Sequence, residues 1–197
     1  MKQIVICFDL FYKGGESVGE QLDIESLFKD YHRDVYQFCL YFTHSVQEAE
    51  DITQETFIKA IKNIRTLTNP DRGKYWLLAI ARNTAIDHLR KRKMNEFLPD
   101  FFEKIISGDP SLDDQILRKE EWEEVHNALY KMKPHYRAIM ILRGIQELTV
   151  SETAEILQIT ELKVRVDFHR AVKILKKEMQ DRERKVISDE YKRRIDS

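Results

Sequence analysis

A stretch of nineteen residues without glycine or proline, YWLLAIARNTAIDHLRKRK from Tyr75 to Lys93, constrains the fold of this chain most strongly. Its apolar residues recur near the helical repeat, which predicts one helix with a buried side. We expect that side to comprise Trp76, Ala79, Ile80, Ala81, Ala85, Ile86 and Leu89. From Arg82 to Lys93 there are five basic side chains and one acidic one, a net charge of +4. Such an end is suited to binding phosphates.

The composition is that of a globular protein with room for two small helical domains. The 197 residues are 34% charged and 42% hydrophobic, and their net charge of −1 gives no sign of a nucleic-acid partner. Residues 94–124, however, hold ten acidic and three basic side chains, a net charge of −7. Basic helices therefore flank an acidic middle segment.

The cysteine content and the apolar runs bear on the cellular compartment. Cys7 and Cys39 have no metal-ligand spacing, which favours a reducing, cytoplasmic environment over a disulfide scaffold. Residues 4–10 are apolar, but the run is short and is interrupted by Asp9, so we predict neither a signal peptide nor a membrane span. Residues 1–21 include a strand-like run, and we expect them to be poorly ordered.

The first half of the chain is expected to form three helices. An amphipathic run begins at Asp23 and continues through Phe42. Ser45, with Glu48 three residues later, predicts a capped second helix to about Ile64. Asn69 and Pro70 are expected to start the third. Four polar side chains of the second helix lie largely away from its apolar stripe: Asp51, Gln54, Glu55 and Lys59.

The second half predicts four more helices after a flexible linker at residues 94–111. Ser111 is expected to cap the first of these, Pro134 begins a short one that ends near Gly144, and Thr149 with Glu152 forms a capping box for the next. Gln158-Ile159-Thr160 then makes a turn. The last helix buries Val164, Phe168, Ala171 and Leu175, and presents to a groove Lys163, Arg165, Val166, Asp167 and Arg170. Residues 180–197 are predicted to be a frayed helix end followed by disorder.

Three motifs, in this order and at these separations, resemble the extracytoplasmic-function (ECF) group of sigma factors of bacterial RNA polymerase. They are DITQETF at residues 51–57, the Trp-Leu, Ile-Ala-Arg-Asn and Asp-His-Leu-Arg-Lys segments within residues 75–93, and the helix-turn-helix from Thr149 to Leu175. The resemblance covers about residues 23–179. It implies an all-α protein with a sigma region 2 bundle at residues 22–93 and a region 4 helix-turn-helix domain at residues 112–179. A flexible acidic linker at residues 94–111 would join them, with an extension at 1–21 and a charged tail at 180–197.

The resemblance also implies partners and residue roles. The partners would be core RNA polymerase, through its largest-subunit clamp helices and its flap, promoter DNA, and an anti-sigma factor, with no direct membrane insertion. Polymerase would be bound by Asp51, Gln54 and Glu55. The minus-10 element would be bound by Arg82, Asn83, Arg90, Lys91 and Arg92, and the loop at residues 65–74 would hold a flipped base. The minus-35 element would be bound by Lys163, Arg165, Val166, Asp167 and Arg170.

Two positions depart from the pattern of the family. Gln158 stands in the turn where glycine is common, and Asp167 stands where a basic residue is frequent. Asp167 could pair with Lys163 and Arg170 on the surface, or it could accept a hydrogen bond from a cytosine N4 group. We favour the ion pairs, because aspartate is the rarer base reader and its neighbours are cationic.

No catalytic motif is present, and we predict no catalytic residue, cofactor or metal site. Glu123 and His126 form one Glu-x-x-His step, but a di-iron site needs a second. All six histidines are expected to be surface or partly buried. Two rival functions are a stand-alone helix-turn-helix regulator and a helical scaffold that binds no DNA. The combination of the acidic and amide face at residues 51–55 with Trp76 argues against both, since neither needs a polymerase grip coupled to a melting helix.

Overall fold

The computed structural model describes residues 24–96 and 120–195, in which every regular element is helical, as predicted. The α-helices are α1 (Ile24–Thr43), α2 (Val46–Asn63), α3 (Gly73–Glu96), α4 (Glu120–Lys131), α5 (Pro134–Met140), α6 (Val150–Leu157) and α7 (Glu161–Ile195). The expected N-terminal extension, residues 97–111 of the expected linker, and the Ser111 cap lie outside the described residues. No helix in the described ranges is both long and apolar enough to cross a membrane.

The first bundle consists of α1, α2 and α3 around an aromatic and aliphatic core. Its largest fully buried side chains include Phe38 and Phe42 of α1, Ile52 of α2, and Leu77 and Leu78 of α3. Burying one such side chain stabilises the fold by about 1.5–3 kcal/mol. The predicted cap of α2 is confirmed, because the hydroxyl of Ser45 accepts a hydrogen bond from the backbone N–H of Glu48 at 3.3 Å.

The start of α3 follows the predicted signals with one addition. Asn69 accepts a hydrogen bond from the backbone N–H of Asp71 at 3.0 Å and caps a 3₁₀ turn, Pro70–Arg72, that leads into the helix. The helix itself begins at Gly73, where an added Cβ would lie 2.5 Å from the Cδ2 atom of Leu27. The residue type is therefore set by the close approach of α1.

The buried side of α3 matches the predicted one in part, because three of the expected residues are buried: Ala81, Ala85 and Leu89. Leu77 and Leu78 are fully buried, whereas Trp76 and Ile80 are only half-buried. The helix contacts α1 and α2 on one side and α6 on another. Because the sequence from Trp76 to Ala81 is apolar at every position, its periodicity does not select one side.

The second bundle contains α4 to α7 and includes the predicted helix-turn-helix. Thr149 and Glu152 form both hydrogen bonds of a capping box at the start of α6. Gln158 has a φ of 54°, so the residue after α6 takes the left-handed conformation that glycine adopts more easily. The helix that Pro134 begins continues from Met140 as a π-helical turn, Ile141–Ile145, and so ends near Gly144 as predicted.

The C-terminal helix is longer than the sequence suggested. The predicted disorder after residue 180 is wrong up to Ile195, because α7 continues to that residue. Residues 180–195 contain no glycine or proline that would end the helix. Charges of both signs therefore do not by themselves predict disorder.

The two bundles pack against each other and share one continuous buried core. Arg137 of α5 donates a hydrogen bond to the carbonyl oxygen of Phe42 at the end of α1. Gln146 donates one to the carbonyl oxygen of Asp34 at 2.8 Å. The Tyr75 hydroxyl of α3 lies 2.5 Å from a carboxylate oxygen of Glu152 in α6. The last of these contacts fixes α6 against the N-terminal end of α3, and the other two join the second bundle to α1.

Candidate protein-binding and nucleic-acid interfaces

The outer side of α2 carries the residues that the resemblance assigns to a protein partner. Asp51 is exposed and Gln54 is partly exposed. Glu55 is half-buried, and its carboxylate lies 2.8 Å from Lys59 Nζ and 2.6 Å from His88 Nε2. Burial acts to raise the pKa of Glu55, but hydrogen bonds from Lys59 and His88 outweigh it and lower the pKa. Glu55 thus joins α2 to α3, and Asp51 and Gln54 are the more available of the three.

Ile58 also lies on this side of α2, and sequence reasoning missed it. Its relative exposure is 37%, whereas the other large apolar residues of the helix are buried or half-buried. It follows Asp51 by seven residues and Gln54 by four, so the helical repeat places all three on one side. The signal in the sequence was an apolar residue outside the stripe of buried positions.

The C-terminal half of α3 carries the cationic side chains predicted for DNA. The side chain of Arg90 is 76% exposed and makes only a long ion pair with Asp87, at 3.4 Å. Lys91 and Asn83 are exposed as well. Arg82 is half-buried and donates a hydrogen bond to the Asn83 side chain at 2.9 Å. Burial, with a smaller effect of the Arg90 charge, lowers the pKa of Arg82.

Arg92 occupies a different setting from the rest of this group. Its Nη1 atom lies 3.0 Å from a carboxylate oxygen of Glu48 in α2, and its Nη2 atom lies 2.5 Å from the hydroxyl of Tyr130 in α4. The guanidinium also lies over the Tyr130 ring, 5.7 Å from its centroid. Burial acts to lower the pKa of Arg92, but the Glu48 carboxylate and then Tyr130 raise it. The structure therefore places Arg92 between the bundles, apart from Arg90 and Lys91.

The helix-turn-helix presents a cationic outer side on the first turns of α7. Lys163, Arg165, Val166 and Arg170 are exposed, as the sequence predicted. Arg165 pairs with Glu161 at 2.9 Å along the helix. Three further exposed residues lie on this part of the helix and were not predicted: Leu162, His169 and Lys173.

Asp167 is not on that outer side. Its side chain is 2% exposed, so the expectation that it faces a groove is wrong in this structure. It follows Val164 by three residues and precedes Ala171 by four, and both of those are fully buried. This spacing is that of the core-facing stripe, and the charge of the residue concealed its position.

Three side chains surround the buried carboxylate. His135 Nε2 at the start of α5 lies 2.8 Å from Oδ2, Lys163 Nζ lies 2.8 Å from the same oxygen, and Arg170 Nη1 lies 3.6 Å from Oδ1. Burial acts to raise the pKa of Asp167, but hydrogen bonds from Lys163 and His135 outweigh it and lower the pKa. The predicted pairing with Lys163 and Arg170 is present, with His135 as a partner that the sequence did not indicate.

His126 of the Glu-x-x-His step is part of the packing between the bundles. His126 is 1% exposed, so the expectation of a surface or partly buried imidazole is wrong here. Its ring stacks on Tyr41 of α1 at a centroid distance of 4.5 Å. Burial, and then the nearby His44, lowers the pKa of His126 to about 4. Within the described ranges, no three His, Cys, Asp or Glu side chains are arranged to hold a metal ion.

Both bundles match sequence families of bacterial transcription proteins. The model of the Sigma-70 region 2 family matches residues 27–94, and that of the Sigma-70 region 4 family matches residues 122–175. The ECF RNA polymerase sigma factor SigX of Bacillus subtilis is 33% identical over 173 residues, which are 84% of this chain and 88% of that protein. The sigma factor SigW of the same species is 31% identical, over 81% of this chain and 88% of that protein.

Solved structures show the same fold. The sigma factor RpoE of Bartonella quintana, in complex with the anti-sigma factor NepR, aligns with a TM-score of 0.63 and 20% identity over 79% of this chain and 96% of that one. CnrH, in complex with the cytosolic domain of CnrY, aligns with a TM-score of 0.60 and 21% identity over 83% of this chain and 91% of that one. The helix-turn-helix, the cationic α3 and the sequence matches over most of the chain together establish that this protein belongs to the ECF sigma factor family.

Proposed function

We propose that this ECF sigma factor binds core RNA polymerase through the outer side of α2, holds the separated minus-10 strand with α3, and reads the minus-35 element with α7. The observation that supports this most strongly is the arrangement of α2 and α3. The exposed Asp51 and the exposed Arg90 and Lys91 lie on adjacent helices whose apolar sides form one core. A protein partner and a nucleic-acid strand can therefore be bound by one rigid bundle. The proposed region 2 bundle comprises residues 22–93, the linker residues 94–111 and the region 4 domain residues 112–179, with α3 continuing three residues into the linker, to Glu96.

The polymerase surface is assigned to Asp51, Gln54 and Ile58. An exposed apolar side chain with charged and amide neighbours has the composition of a small interface centre with a polar rim. Glu55 is assigned a supporting role in this surface, since its carboxylate is already bound by Lys59 and His88. Chemistry is left to the polymerase, and we propose that the protein works in the cytoplasm, where the core enzyme is found.

The minus-10 surface is assigned to Asn83, Arg90 and Lys91, with Arg82 beside them. Their exposure allows contact with the phosphates of a separated strand. Trp76 is half-buried, and its indole N–H donates to the Thr66 hydroxyl at 3.2 Å, which orders the loop before α3. Arg92 can join this surface only after it exchanges Glu48 and Tyr130 for phosphate.

A charge reversal on α2 tests the polymerase assignment. We expect Asp51→Lys to weaken capture by core RNA polymerase at least tenfold, because close charge pairs at interfaces are coupled by about 1.5 kcal/mol or more. The measurement is the affinity of the full chain for purified core enzyme, with circular dichroism to verify helicity. Asp51 is preferred to Glu55, whose replacement would also disturb the contact with α3.

Glu50→Lys is the matched control for that experiment. Glu50 is exposed on the same helix, but the helical repeat turns it about 100° from Asp51. We expect this variant to retain its affinity for core enzyme. Equal affinities of the wild-type chain and the folded Asp51→Lys variant would show that the outer side of α2 is not the polymerase surface.

An anti-sigma factor is the second proposed partner. RpoE and CnrH were solved in complexes, the first of them with an anti-sigma factor. Such a protein could bind the compact form in which the bundles contact each other and Arg92 is already held by Glu48 and Tyr130. Cross-linking in cells of the source organism should recover a complex of this chain that contains no polymerase subunit. Recovery with polymerase alone would contradict this proposal.

A further inference from the structure

Two large apolar side chains lie on the outer side of the first turns of α7. Leu162 is 69% exposed and Val166 is 41% exposed. They are four residues apart and therefore neighbours on the helix surface. Val164, Asp167 and Ala171 form the buried side, so Leu162 and Val166 lie on the opposite one. We use the name apolar pair for Leu162 and Val166.

Cationic side chains surround the apolar pair. Lys163, Arg165 and Arg170 have side chains that are 53%, 58% and 61% exposed, and Lys173 is exposed further along the helix. Asp167 is buried beneath Lys163 and Arg170, and Glu161, exposed beside the pair, is itself paired with Arg165 at 2.9 Å, so the rim of this surface remains cationic. An occupant must therefore be anionic at its edges and apolar at its centre.

The major groove of duplex DNA has that chemistry. Phosphates line its edges, and the 5-methyl group of thymine is the apolar group that base edges present there. The N-terminal residues of a recognition helix are those that contact base edges, and both members of the apolar pair lie in the first two turns of α7. Single exposed apolar residues are common, but two adjacent ones within a cationic rim on a recognition helix are a specific arrangement.

We propose that Leu162 and Val166 read thymine 5-methyl groups in the major groove of the upstream promoter element. This inference rests on the proposed function, in which α7 enters that groove. The cations around the pair bind phosphates and set the affinity, whereas the pair distinguishes thymine from the other bases. Leu162, absent from the residues predicted for DNA, is the main specificity residue because it is the more exposed of the two.

Removing only the methyl groups tests this proposal. Duplexes are selected from a randomised library by the holoenzyme assembled from the full chain and core polymerase. Each thymine in the enriched upstream element is then replaced by deoxyuridine, one position at a time. We expect the wild-type holoenzyme to lose about fourfold in affinity at one or two positions, since a buried methyl-sized group contributes about 0.8 kcal/mol.

The variants assign the effect to the apolar pair. At one of the sensitive positions, the Leu162→Ala holoenzyme should have equal affinity for the thymine and the deoxyuridine duplexes. The Val166→Ala holoenzyme should show the same equality at that position or at its neighbour. Lys173→Ala is the matched control, because loss of a cation should leave the thymine to deoxyuridine ratio unchanged. Leu162→Gln, which keeps length but adds an amide, should lose the discrimination as well.

The outcomes separate this inference from the proposed function. If the two alanine variants keep every deoxyuridine effect of the wild type, or if the wild type shows none, the apolar pair does not read thymine. If these variants instead lose affinity for a protein and keep the deoxyuridine effects, the surface binds protein and the inference is wrong. If the wild-type holoenzyme enriches no duplex at all, the proposed function itself fails.

Discussion

At the scale of single residues, a buried carboxylate joins α5 to α7. Moving an unpaired charge out of water is costly in free energy. At Asp167 this cost is offset by His135, Lys163 and Arg170, which surround the two carboxylate oxygens. His135 lies in the first turn of α5, so the cluster fixes that helix against the recognition helix. Asp167 therefore positions Lys163 and Arg170 on α7, and its carboxylate is held away from the exposed side of that helix.

Replacing Asp167 by asparagine tests this role through stability. We expect Asp167→Asn to lower the free energy of unfolding by about 1.5–3 kcal/mol at pH 7, the range for hydrogen bonds to charged groups. The folded state lowers the pKa of Asp167 below its ordinary value of 3.8. Its contribution is therefore complete above about pH 4 and is lost as the pH falls through the lower, folded-state pKa.

The measurement is urea unfolding of both proteins at pH 7 and at a series of values below pH 4. The difference between wild type and variant should narrow only in the acidic series. Asp87→Asn is the control, because Asp87 is half exposed and pairs with Arg90 at 3.4 Å, and such pairs contribute about 0–1 kcal/mol. A constant difference at all pH values would contradict a contribution from the ionised carboxylate.

At the scale of helices, local signals in the sequence predicted where elements begin. Ser45, Asn69, Pro134 and Thr149 each start a helix or a turn leading into one, because capping and proline preferences act over a few residues. The φ of Gln158 shows that the turn of a helix-turn-helix can be made without glycine. The order of elements was therefore predictable from short-range chemistry.

The orientation of helices depends on neighbours that the sequence does not indicate. Apolar residues occupy the whole circumference of α3 from Trp76 to Ala81, so only the positions of α1, α2 and α6 select Leu77 and Leu78 for the core. Asp167 occupies a core position because His135, more than thirty residues earlier in the chain, lies beside it. Glu55 was predicted to be available and is held by His88 of another helix.

At the scale of the whole molecule, two arginines contact residues of the opposite bundle, and one of them, Arg92, is assigned to DNA in the proposed function. Arg137 is buried between them, where it donates to carbonyl oxygens at the ends of α1 and α4, and burial lowers its pKa to about 10. Arg92 is held by Glu48 of the same bundle and by Tyr130 across the boundary. A strand that recruits Arg92, as in the proposed function, would compete with Tyr130, and we therefore expect DNA binding to weaken this contact between the bundles.

Strand opening is the central activity in the proposed function, and removing two cations from α3 tests whether this activity depends on them. Arg90→Ala combined with Lys91→Ala removes two exposed cations from the C-terminal half of α3. Lys29→Ala combined with Arg33→Ala removes two exposed cations from α1 and serves as the control. Both pairs change the net charge of the chain equally.

The most direct measurement is the permanganate reactivity of thymines at the minus-10 element of a promoter selected by the holoenzyme. These thymines should become reactive only when this chain and core polymerase are both present. The α3 variant should open less DNA. If it loses two single-strand phosphate contacts, the salt slope, that is, the slope of the logarithm of the binding constant against the logarithm of the salt concentration, should be shallower by about 1.4. The α1 variant should behave as wild type. Thymine reactivity in the absence of the chain would contradict its role in strand opening. Full opening by the α3 variant, with an unchanged salt slope, would contradict the assignment of Arg90 and Lys91 to the separated strand.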